Sequence, residues 1–234
     1  MPFVPEIIGH RGAPRTFPEN TLAAFLRALE LGADGIELDV HLTRDGVVVV
    51  HHDAVPRAIS PMPELAGRPF TALTLDEVRT FRLGRGAPIP TLQEVLDAVD
   101  GRAFVYVEVK GRAMEGAVAA SLASRTAWTA VHSFDHRVVQ RVRRDAPTLR
   151  GGVLLDSYLV DTAAAMRAAA AEDLWEQWEF IDEPLVQAVH QGGGRLVAWT
   201  VNDPRAADRL AAIGVDAICT DVPDEIRASL GAGR

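Results

Sequence analysis

The amino-acid pattern predicts a (β/α)8 TIM barrel, an α/β fold. Short apolar runs alternate with amphipathic stretches of helical period, which is typical of a parallel sheet with helical crossovers. The chain has 234 residues, of which 48% are hydrophobic, and a barrel of this type typically needs about 250 residues. No linker or internal repeat divides the pattern, so we expect residues 1–234 to form a single domain.

Eight apolar runs are candidates for the barrel strands. Their expected last residues are His10, Val40, Lys110, Phe134, Asp156, Asp182, Val201 and Thr220. Between these runs, Asn20 or Glu19 is expected to begin a helix that extends through Leu31. Thr91 is expected to cap another helix, because Glu94 follows it at capping-box spacing.

The segment from residue 54 to residue 86 is the least regular part of the chain. Four prolines interrupt it, and its apolar residues follow no sustained period. We expect it to form a short insertion over the barrel mouth, with one short helix from Leu75 to Arg82.

A β-hairpin is expected to extend the barrel after its second strand. The pair Asp45-Gly46 separates two β-branched runs, which is a strong hairpin signal. A two-residue loop there places Asp39 opposite His52, whereas a four-residue loop places Glu37 opposite His52. In either register His52 shares a face with both carboxylates, because directly opposed residues lie on one face. His51 is then expected to point away from that face.

Glu37 and Asp39 are the clearest chemical signal in the chain. They lie two residues apart on a predicted strand, so both side chains leave the same face. Burying two acids together requires a cation, and Glu108 repeats the pattern near the end of another strand. Carboxylate ligands alone favour Mg²⁺ or Ca²⁺ over zinc. The simpler alternative is an exposed sheet face that carries solvated acids.

Two histidines and one lysine complete the candidate site. His10 and His52 each follow a strand run, and imidazole suits a general acid or base because it titrates near neutral pH. Lys110 is the only lysine in the chain, against 23 arginines, which indicates a need for a compact ammonium group, for example beside a phosphate oxygen. These residues predict a metal-assisted hydrolase of a charged substrate.

Composition argues against several other classes of protein. A net charge of −8 and the lack of a basic tract argue against nucleic acid as a partner. The single cysteine, Cys219, precludes an internal disulfide and lies in an apolar run typical of a core. We expect a cytoplasmic protein without stable membrane insertion, since no apolar run reaches spanning length and no signal-peptide pattern precedes the first strand. The oligomeric state is left open.

A series of short motifs resembles the glycerophosphodiester phosphodiesterase family. The motifs are HRG at 10–12, PENT at 18–21, ELDV at 37–40, DG at 45–46, HD at 52–53, IPTLQEVL at 89–96, EVK at 108–110, SFD at 133–135, WTVN at 199–202 and TDVP at 220–223. No single motif is decisive, but their order along almost the whole chain is specific to the family.

This resemblance implies a barrel enzyme that hydrolyses small glycerophosphodiesters to glycerol 3-phosphate and an alcohol with one divalent cation. At matching positions, His10 and His52 correspond to the acid/base histidines. Glu37, Asp39 and Glu108 correspond to the metal ligands. The resemblance leaves open which histidine is the base, and whether the ion is Mg²⁺ or Ca²⁺. It also leaves open whether water attacks directly or a neighbouring glycerol hydroxyl attacks first to give a cyclic phosphate.

Four further positions match substrate-binding residues of the family. Arg11 and Lys110 correspond to basic residues near the phosphate, Trp199 to an aromatic wall of the pocket, and Glu19 to the loop after the first strand. Simpler roles are an ion pair for Arg11, core packing for Trp199 and a favourable helix-dipole interaction for Glu19.

The chain departs from the family pattern in one segment. The stretch between the HD and IPT motifs is shorter than expected, and PRAI at 56–59 replaces the usual Arg-Thr-Thr, so the preferred headgroup is left open. A cyclising phosphodiesterase similar to the spider-venom phospholipases D is one alternative, but the chain lacks a cysteine pair for a secreted disulfide loop. A non-catalytic binding protein is another, but both histidines and all three acids are retained.

Overall fold

The computed structural model describes residues 4–232 and contains the predicted closed barrel. Eight parallel strands form a ring that closes where the first strand pairs with both the second and the last. A ninth strand, β3, pairs antiparallel with β2 outside the ring, as the hairpin prediction requires. The strands are β1 (Glu6–Gly9), β2 (Gly35–Leu42), β3 (Val48–Val50), β4 (Phe104–Val109), β5 (Thr129–Ser133), β6 (Arg150–Leu155), β7 (Asp173–Gln177), β8 (Arg195–Trp199) and β9 (Ala217–Thr220).

Helices connect the successive parallel strands and cover the outside of the ring, while one short helix lies in the insertion and another follows the last strand. They are α1 (Leu22–Glu30), α2 (Leu75–Val78), α3 (Leu92–Val99), α4 (Glu115–Leu122), α5 (His136–Asp145), α6 (Thr162–Ala169), α7 (Glu183–Gln191), α8 (Pro204–Ala212) and α9 (Pro223–Ala232). Within residues 4–232, no helix combines the length and the apolar character needed to cross a bilayer. The predicted capping box of α3 is confirmed: Thr91 Oγ1 accepts the Glu94 N–H, and the Glu94 carboxylate accepts the Thr91 N–H.

Side chains that alternate along the strands fill the barrel interior. Ile8, Tyr106, Trp175 and Cys219 belong to this inner cluster, and the rings of Tyr106 and Trp175 meet edge to face at 5.2 Å. Cys219 is buried, as its apolar surroundings in the sequence predicted. The inward positions nearer the carboxyl ends of the strands carry the polar residues of the site.

Seven of the eight predicted strand ends lie within two residues of the observed ends, but the prediction at Asp182 is wrong. Strand β7 ends at Gln177, and a short 3₁₀ turn over Trp178–Phe180 follows it. Asp182 is instead the N-cap of α7, where its carboxylate accepts the Leu185 N–H. A capping aspartate satisfies a free helix donor, which is why this residue belongs to the helix rather than to the strand.

The start of the first helix also differs from the prediction. Thr21, not Asn20 or Glu19, is the N-cap of α1, and its hydroxyl accepts the Ala24 N–H. Asn20 adopts a left-handed backbone conformation with φ of 56°, which asparagine tolerates better than most residues. In the insertion, α2 ends at Val78 rather than at Arg82.

Both predicted registers of the hairpin are wrong by one residue. The observed pairs include Val40 with Val50, and a loop of residues 44–46 joins the strands. Gly46 has φ of 83°, the left-handed conformation that ends a three-residue hairpin loop. This register continues with the His51 N–H donating to the Asp39 carbonyl, so His51 rather than His52 lies across from Asp39. The strand pairing ends before His52, so the rule that directly opposed residues share a face does not apply to this residue.

The insertion between β3 and α3 packs as a small unit of its own. Its buried apolar cluster includes Leu65, Phe70, Leu73 and Phe81, which pack with Val49 of the hairpin. The insertion thus extends the hairpin beyond the barrel wall. It also contacts the loop after β1, where Gly84 approaches the ring of Pro18.

Candidate active site

A cavity of about 390 Å³ opens at the carboxyl ends of the barrel strands, where the active sites of enzymes with this fold lie. Twelve residues line it: His10, Arg11, Glu37, His52, Glu108, Lys110, His132, Phe134, Leu154, Trp175, Trp199 and Cys219. The structure therefore brings seven of the nine predicted site residues to the lining of one cavity. Asp39 and Glu19 do not line it.

His10 follows β1 and is held by a carboxylate from the other end of the chain. Its Nδ1 atom lies 2.7 Å from Oδ1 of Asp221, and its backbone N–H donates to the Thr220 carbonyl at 2.8 Å. Asn202 Nδ2 donates to the second oxygen of Asp221 at 2.7 Å. Burial acts to raise the pKa of Asp221, but His10 and Asn202 outweigh it and lower the pKa below its usual value. An ionised Asp221 accepts the Nδ1 proton and leaves Nε2 of His10 for chemistry.

His52 has the same arrangement with a neighbour in sequence. Its Nδ1 atom lies 2.8 Å from Oδ1 of Asp53, and Asp53 also contacts the Arg57 guanidinium. Burial acts to raise the pKa of Asp53, but His52 and Arg57 lower it overall. His41 fixes the backbone of this segment, because its Nε2 donates to the His52 carbonyl at 3.0 Å. His51 packs against Phe70 outside the cavity.

The three acids lie on two adjacent strands, β2 and β4. Asp39 on β2 is the register partner of Glu108 on β4, and Glu108 is in turn the partner of His132 on β5. Glu37 lies two residues before Asp39 and leaves the same face of the strand. The acids have relative exposures of 8% or less. The barrel therefore gathers them into one buried group near the cavity floor.

Mutual repulsion and burial shift the pKa values of these acids. Burial, followed by the charges of Asp39 and Glu108, raises the pKa of Glu37 well above its usual value, while Arg11 opposes the shift. Burial and Asp39 raise the pKa of Glu108 to about 7. Burial also acts on Asp39, but Arg11 and Lys110 hold the pKa of that carboxyl below its usual value. The nearby cations therefore favour ionisation of Asp39 more than that of the two glutamates.

His132 lies beside these acids, although the sequence motifs did not include it among the candidate site residues. Its ring stacks on Trp175 with centroids 4.1 Å apart, and its Nε2 lies 3.9 Å from Oε1 of Glu37. Ligand atoms of Glu37, Glu108 and His132 all lie within 4.8 Å of one another. Burial lowers the pKa of His132 to about 3, so the imidazole is neutral near neutral pH. A neutral imidazole therefore lies beside the carboxylates that the sequence predicted as cation ligands.

Arg11 and Lys110 surround Asp39 from two sides. Arg11 Nε lies 3.3 Å from Oδ2 of Asp39, and Lys110 Nζ lies 3.6 Å from its Oδ1. Lys110 also donates to Glu108 Oε1 at 2.9 Å. Glu19 is about half exposed and accepts from Arg11 at 3.0 Å, so it lies behind the arginine and does not face the cavity.

Asn20 is a buried residue of the site whose role sequence reasoning missed. Its Nδ2 donates to Asp39 Oδ2 at 2.8 Å, and its Oδ1 accepts the Asp39 backbone N–H at 3.3 Å. Both contacts depend on the left-handed backbone of Asn20. The signal available in the sequence was an asparagine directly before a threonine, which is itself a good helix cap, at the position where the helix was expected to begin.

Aromatic side chains form the wall opposite the charged residues. Trp199 at the end of β8 meets Phe134 edge to face, with ring centroids 5.7 Å apart. Phe134 is 46% exposed and Trp199 is partly exposed, so neither ring is simple core. The cavity thus has a charged side, suited to a phosphate, and an apolar side, suited to carbon-bound hydrogens.

These features define a barrel enzyme with two carboxylate-anchored histidines beside a buried acidic centre. The Glycerophosphoryl diester phosphodiesterase family model matches residues 10–225 of the chain. A glycerophosphodiester phosphodiesterase of Caldanaerobacter subterraneus is 34% identical over 237 residues, which cover 94% of this chain and 95% of the relative.

Solved structures have the same fold. A glycerophosphodiester phosphodiesterase of Agrobacterium tumefaciens superposes with a TM-score of 0.84 at 29% identity, covering 96% of this chain and 100% of that one. An Oleispira antarctica phosphodiesterase superposes with a TM-score of 0.87 at 23% identity, covering 97% of each chain. The chain belongs to the glycerophosphoryl diester phosphodiesterase family and is an enzyme that hydrolyses glycerophosphodiesters.

Proposed function

We propose that this enzyme cleaves small glycerophosphodiesters to glycerol 3-phosphate and an alcohol, with His10 and His52 as the acid/base pair. The observation that carries the proposal is that both histidines line one cavity with their Nδ1 atoms on carboxylates. In each case Nε2 is the nitrogen left for proton transfer. The Oleispira antarctica phosphodiesterase of the same fold was solved in complex with its product, sn-glycerol 3-phosphate, which agrees with this substrate class.

We propose that Glu37, Asp39 and Glu108 hold one divalent cation, Mg²⁺ or Ca²⁺, with His132 beside them. Two properties of the residues fit such an ion. Asp39 Oδ1 is buried and has no hydrogen-bond partner, and burial together with repulsion from Asp39 raises the pKa values of both glutamates. A hard cation with carboxylate ligands satisfies the free oxygen and removes the repulsion. When bound, it supplies Lewis-acid polarisation of a phosphoryl oxygen.

The protein side chains supply binding and proton transfer. Arg11 and Lys110 bind the non-bridging phosphate oxygens, the first as a planar fork and the second as a point charge. Nε2 of one histidine takes the proton of the attacking hydroxyl as the new P–O bond forms. Nε2 of the other histidine gives a proton to the alcohol oxygen as its bond to phosphorus breaks. Trp199 and Phe134 pack against the carbon atoms of the substrate.

Two routes fit these roles, and products distinguish them. Direct attack by water gives glycerol 3-phosphate in one step, whereas attack by the neighbouring glycerol hydroxyl gives a cyclic phosphate first. Phosphorus NMR during turnover would detect the cyclic species. Its absence at all times, including under single-turnover conditions, would favour direct attack.

The first experiment is release of glycerol 3-phosphate from glycerophosphocholine and glycerophosphoethanolamine by the purified protein, with EDTA, Mg²⁺ or Ca²⁺ added. We expect EDTA to abolish release and one of the two ions to restore it. Release that persists after exhaustive chelation would contradict the metal proposal alone. Absence of release from either substrate, by folded protein with bound metal, would contradict the proposed activity.

We also propose that residues 1–234 act as one domain in the cytoplasm. The family match over residues 10–225 leaves little of the chain outside the barrel, which supports a single domain. Limited proteolysis should then yield no stable fragment smaller than the barrel, and cell fractionation should recover the enzyme with cytoplasmic markers.

A further inference from the structure

A basic groove lies in the insertion and shares no lining residue with the catalytic cavity. Its volume is about 810 Å³, and its walls are two segments, residues 57–59 and residues 82–86. Three of these residues are Arg57, Arg82 and Arg85, and none of the described residues that line the groove is acidic. In a chain of net charge −8, a groove whose lining has three arginines and no acid is a local region of positive charge.

The backbone of the groove is ordered by its own hydrogen bonds. Ile59 and Arg82 form an antiparallel bridge, in which each N–H donates to the other's carbonyl at 2.9 and 2.7 Å. The Arg82 guanidinium donates hydrogen bonds to the carbonyls of Arg79 and Phe81, which orient it. Arg85 lies over the ring of Phe17, 5.1 Å from its centroid. The bridge therefore joins the two walls, and contacts with the protein orient the Arg82 and Arg85 guanidinium groups.

Most of the positive charge in the groove is not neutralised by the protein. Arg57 contacts Asp53. Arg82 donates to carbonyls and Arg85 stacks on an aromatic ring, so within residues 4–232 neither forms an ion pair with a carboxylate. Guanidinium groups with free donors and no carboxylate are suited to bind an external anion.

Both walls of the groove connect directly to loops that carry active-site residues. On one side, Arg57 contacts Asp53, which holds Nδ1 of His52 at the cavity. On the other side, Gly84 packs so closely on Pro18 that an added Cβ would lie 3.1 Å from the proline ring. Pro18 belongs to the loop between His10 and α1. The groove is therefore connected to the cavity through Asp53 and His52 on one side and through the loop after β1 on the other.

We propose that this arginine groove binds a second phosphate, carried by the alcohol portion of the substrate. The inference rests on the proposed function and names its substrate class: glycerophosphodiesters whose alcohol itself bears a phosphate monoester. Phosphate is the ligand that the chemistry favours, because planar guanidinium forks pair with its oxygens in a bidentate manner. A nucleic-acid strand is disfavoured, since no aromatic side chain lines the groove for base stacking.

The test compares two substrates that differ only in the second phosphate. Glycerophosphoglycerol presents an uncharged alcohol, and its terminal phosphate monoester presents the second anion. We expect kcat/KM to be at least ~10-fold higher for the phosphorylated substrate at low ionic strength, and the preference to fall as salt rises. The preference should lie in KM rather than in kcat, because the groove does not touch the bond that breaks.

Variants of the groove arginines test whether these residues cause the preference for the phosphorylated substrate. The double variant Arg82→Gln/Arg85→Gln should raise KM for the phosphorylated substrate at least ~10-fold and abolish the preference. Arg85→Lys keeps the charge but loses the planar fork and the stacking on Phe17, so it should retain only part of the preference. The matched control is Arg144→Gln/Arg167→Gln, which removes the same net charge from exposed positions on α5 and α6.

Each outcome separates this inference from the proposed function. Equal kcat/KM for the two substrates in the unaltered enzyme, or an equal loss with the control double variant, would overturn the groove proposal while leaving the activity established. Failure to release glycerol 3-phosphate from either substrate would overturn the proposed function instead. If the double variant lost its fold, the single variant Arg85→Gln would provide the same comparison, because Arg85 makes only a stacking contact with Phe17.

Discussion

Nδ1 of His10 lies 2.7 Å from Oδ1 of Asp221, although 211 positions separate the two residues in the chain. They follow β1 and β9, the strands whose pairing closes the barrel through the register of Gly9 with Thr220. Closure of the ring therefore also assembles one of the two histidine–aspartate pairs. The second pair, His52 with Asp53, is local and does not depend on closure.

Asp221→Asn should lower kcat by about 10- to 100-fold. Asparagine keeps the size of the side chain but removes the anion that stabilises protonated His10, so the pH dependence of kcat should also be displaced. The matched control is Asp216→Asn, since Asp216 contacts His190 at 2.8 Å outside the cavity. An unchanged pH profile in Asp221→Asn would show that Asp221 serves only to hold the loop.

His10→Ala and His52→Ala should each reduce turnover at least ~100-fold, because each removes one proton-transfer group from the cavity. His190→Ala, which removes a histidine from a similar aspartate pair on the surface, should leave turnover unchanged. Circular dichroism and thermal unfolding of all three variants would establish that the fold is intact. Near-normal turnover in either cavity variant would show that the corresponding histidine is not an acid or a base.

The strand and helix pattern could be predicted because it depends on local periodicity. Glu37 and Asp39 illustrate this: a spacing of two on a strand places both on one face whatever the rest of the chain does. His132 could not be assigned in the same way, because its role depends on the register of β5 with β4. Only tertiary pairing brings it level with Glu108.

Single-residue details of turns were also beyond the sequence. Asn20 was expected to begin a helix, and it instead takes a left-handed conformation that lets its amide bind Asp39. The hairpin loop has three residues, a length between the two that were considered, and this shifts His51 opposite Asp39. His52 reaches the cavity because pairing ends before it, not because of the predicted register.

Glu37→Gln should lower both turnover and divalent-metal affinity, because a neutral amide is a weaker ligand for a hard cation than a carboxylate. Metal affinity can be measured by calorimetry with no substrate present, and turnover by glycerol 3-phosphate release. Excess metal should then restore turnover. The control is Glu115→Gln, which also alters a buried glutamate, but one paired with Arg141 outside the cavity. Unchanged metal affinity in Glu37→Gln would remove this residue from the ligand set.

Asn20→Ala should weaken the same centre without removing a ligand. The change leaves Asp39 without its amide donor at 2.8 Å and replaces asparagine at φ of 56°, where alanine is strained. We expect a loss of about 1–3 kcal/mol in the free energy of unfolding, together with lower metal affinity. Urea denaturation and calorimetry would measure the two effects. Loss of stability with unchanged metal affinity would restrict Asn20 to a structural role.

His51 should make the fold less stable in mild acid. Burial lowers its pKa to about 4, and its Nε2 accepts the Arg57 N–H at 3.1 Å, a hydrogen bond that protonation would break. The unfolded chain takes up this proton below pH 6.5, whereas the folded chain does so only near pH 4. Stability from this group is therefore present above pH 6.5 and is lost as pH falls towards 4, by about 2 kcal/mol at pH 5.

His51→Gln tests this prediction, because an amide oxygen can accept the same N–H without titrating. Urea unfolding of the parent and the variant at pH 7.5 and pH 5 gives four free energies of unfolding. The decrease between the two pH values should be smaller in the variant by about 2 kcal/mol. Other acids and histidines contribute equally to both proteins and cancel in this difference. An identical decrease in the two proteins would mean that His51 is protonated in the folded state at pH 5, and that its buried neutral form is not what the fold requires.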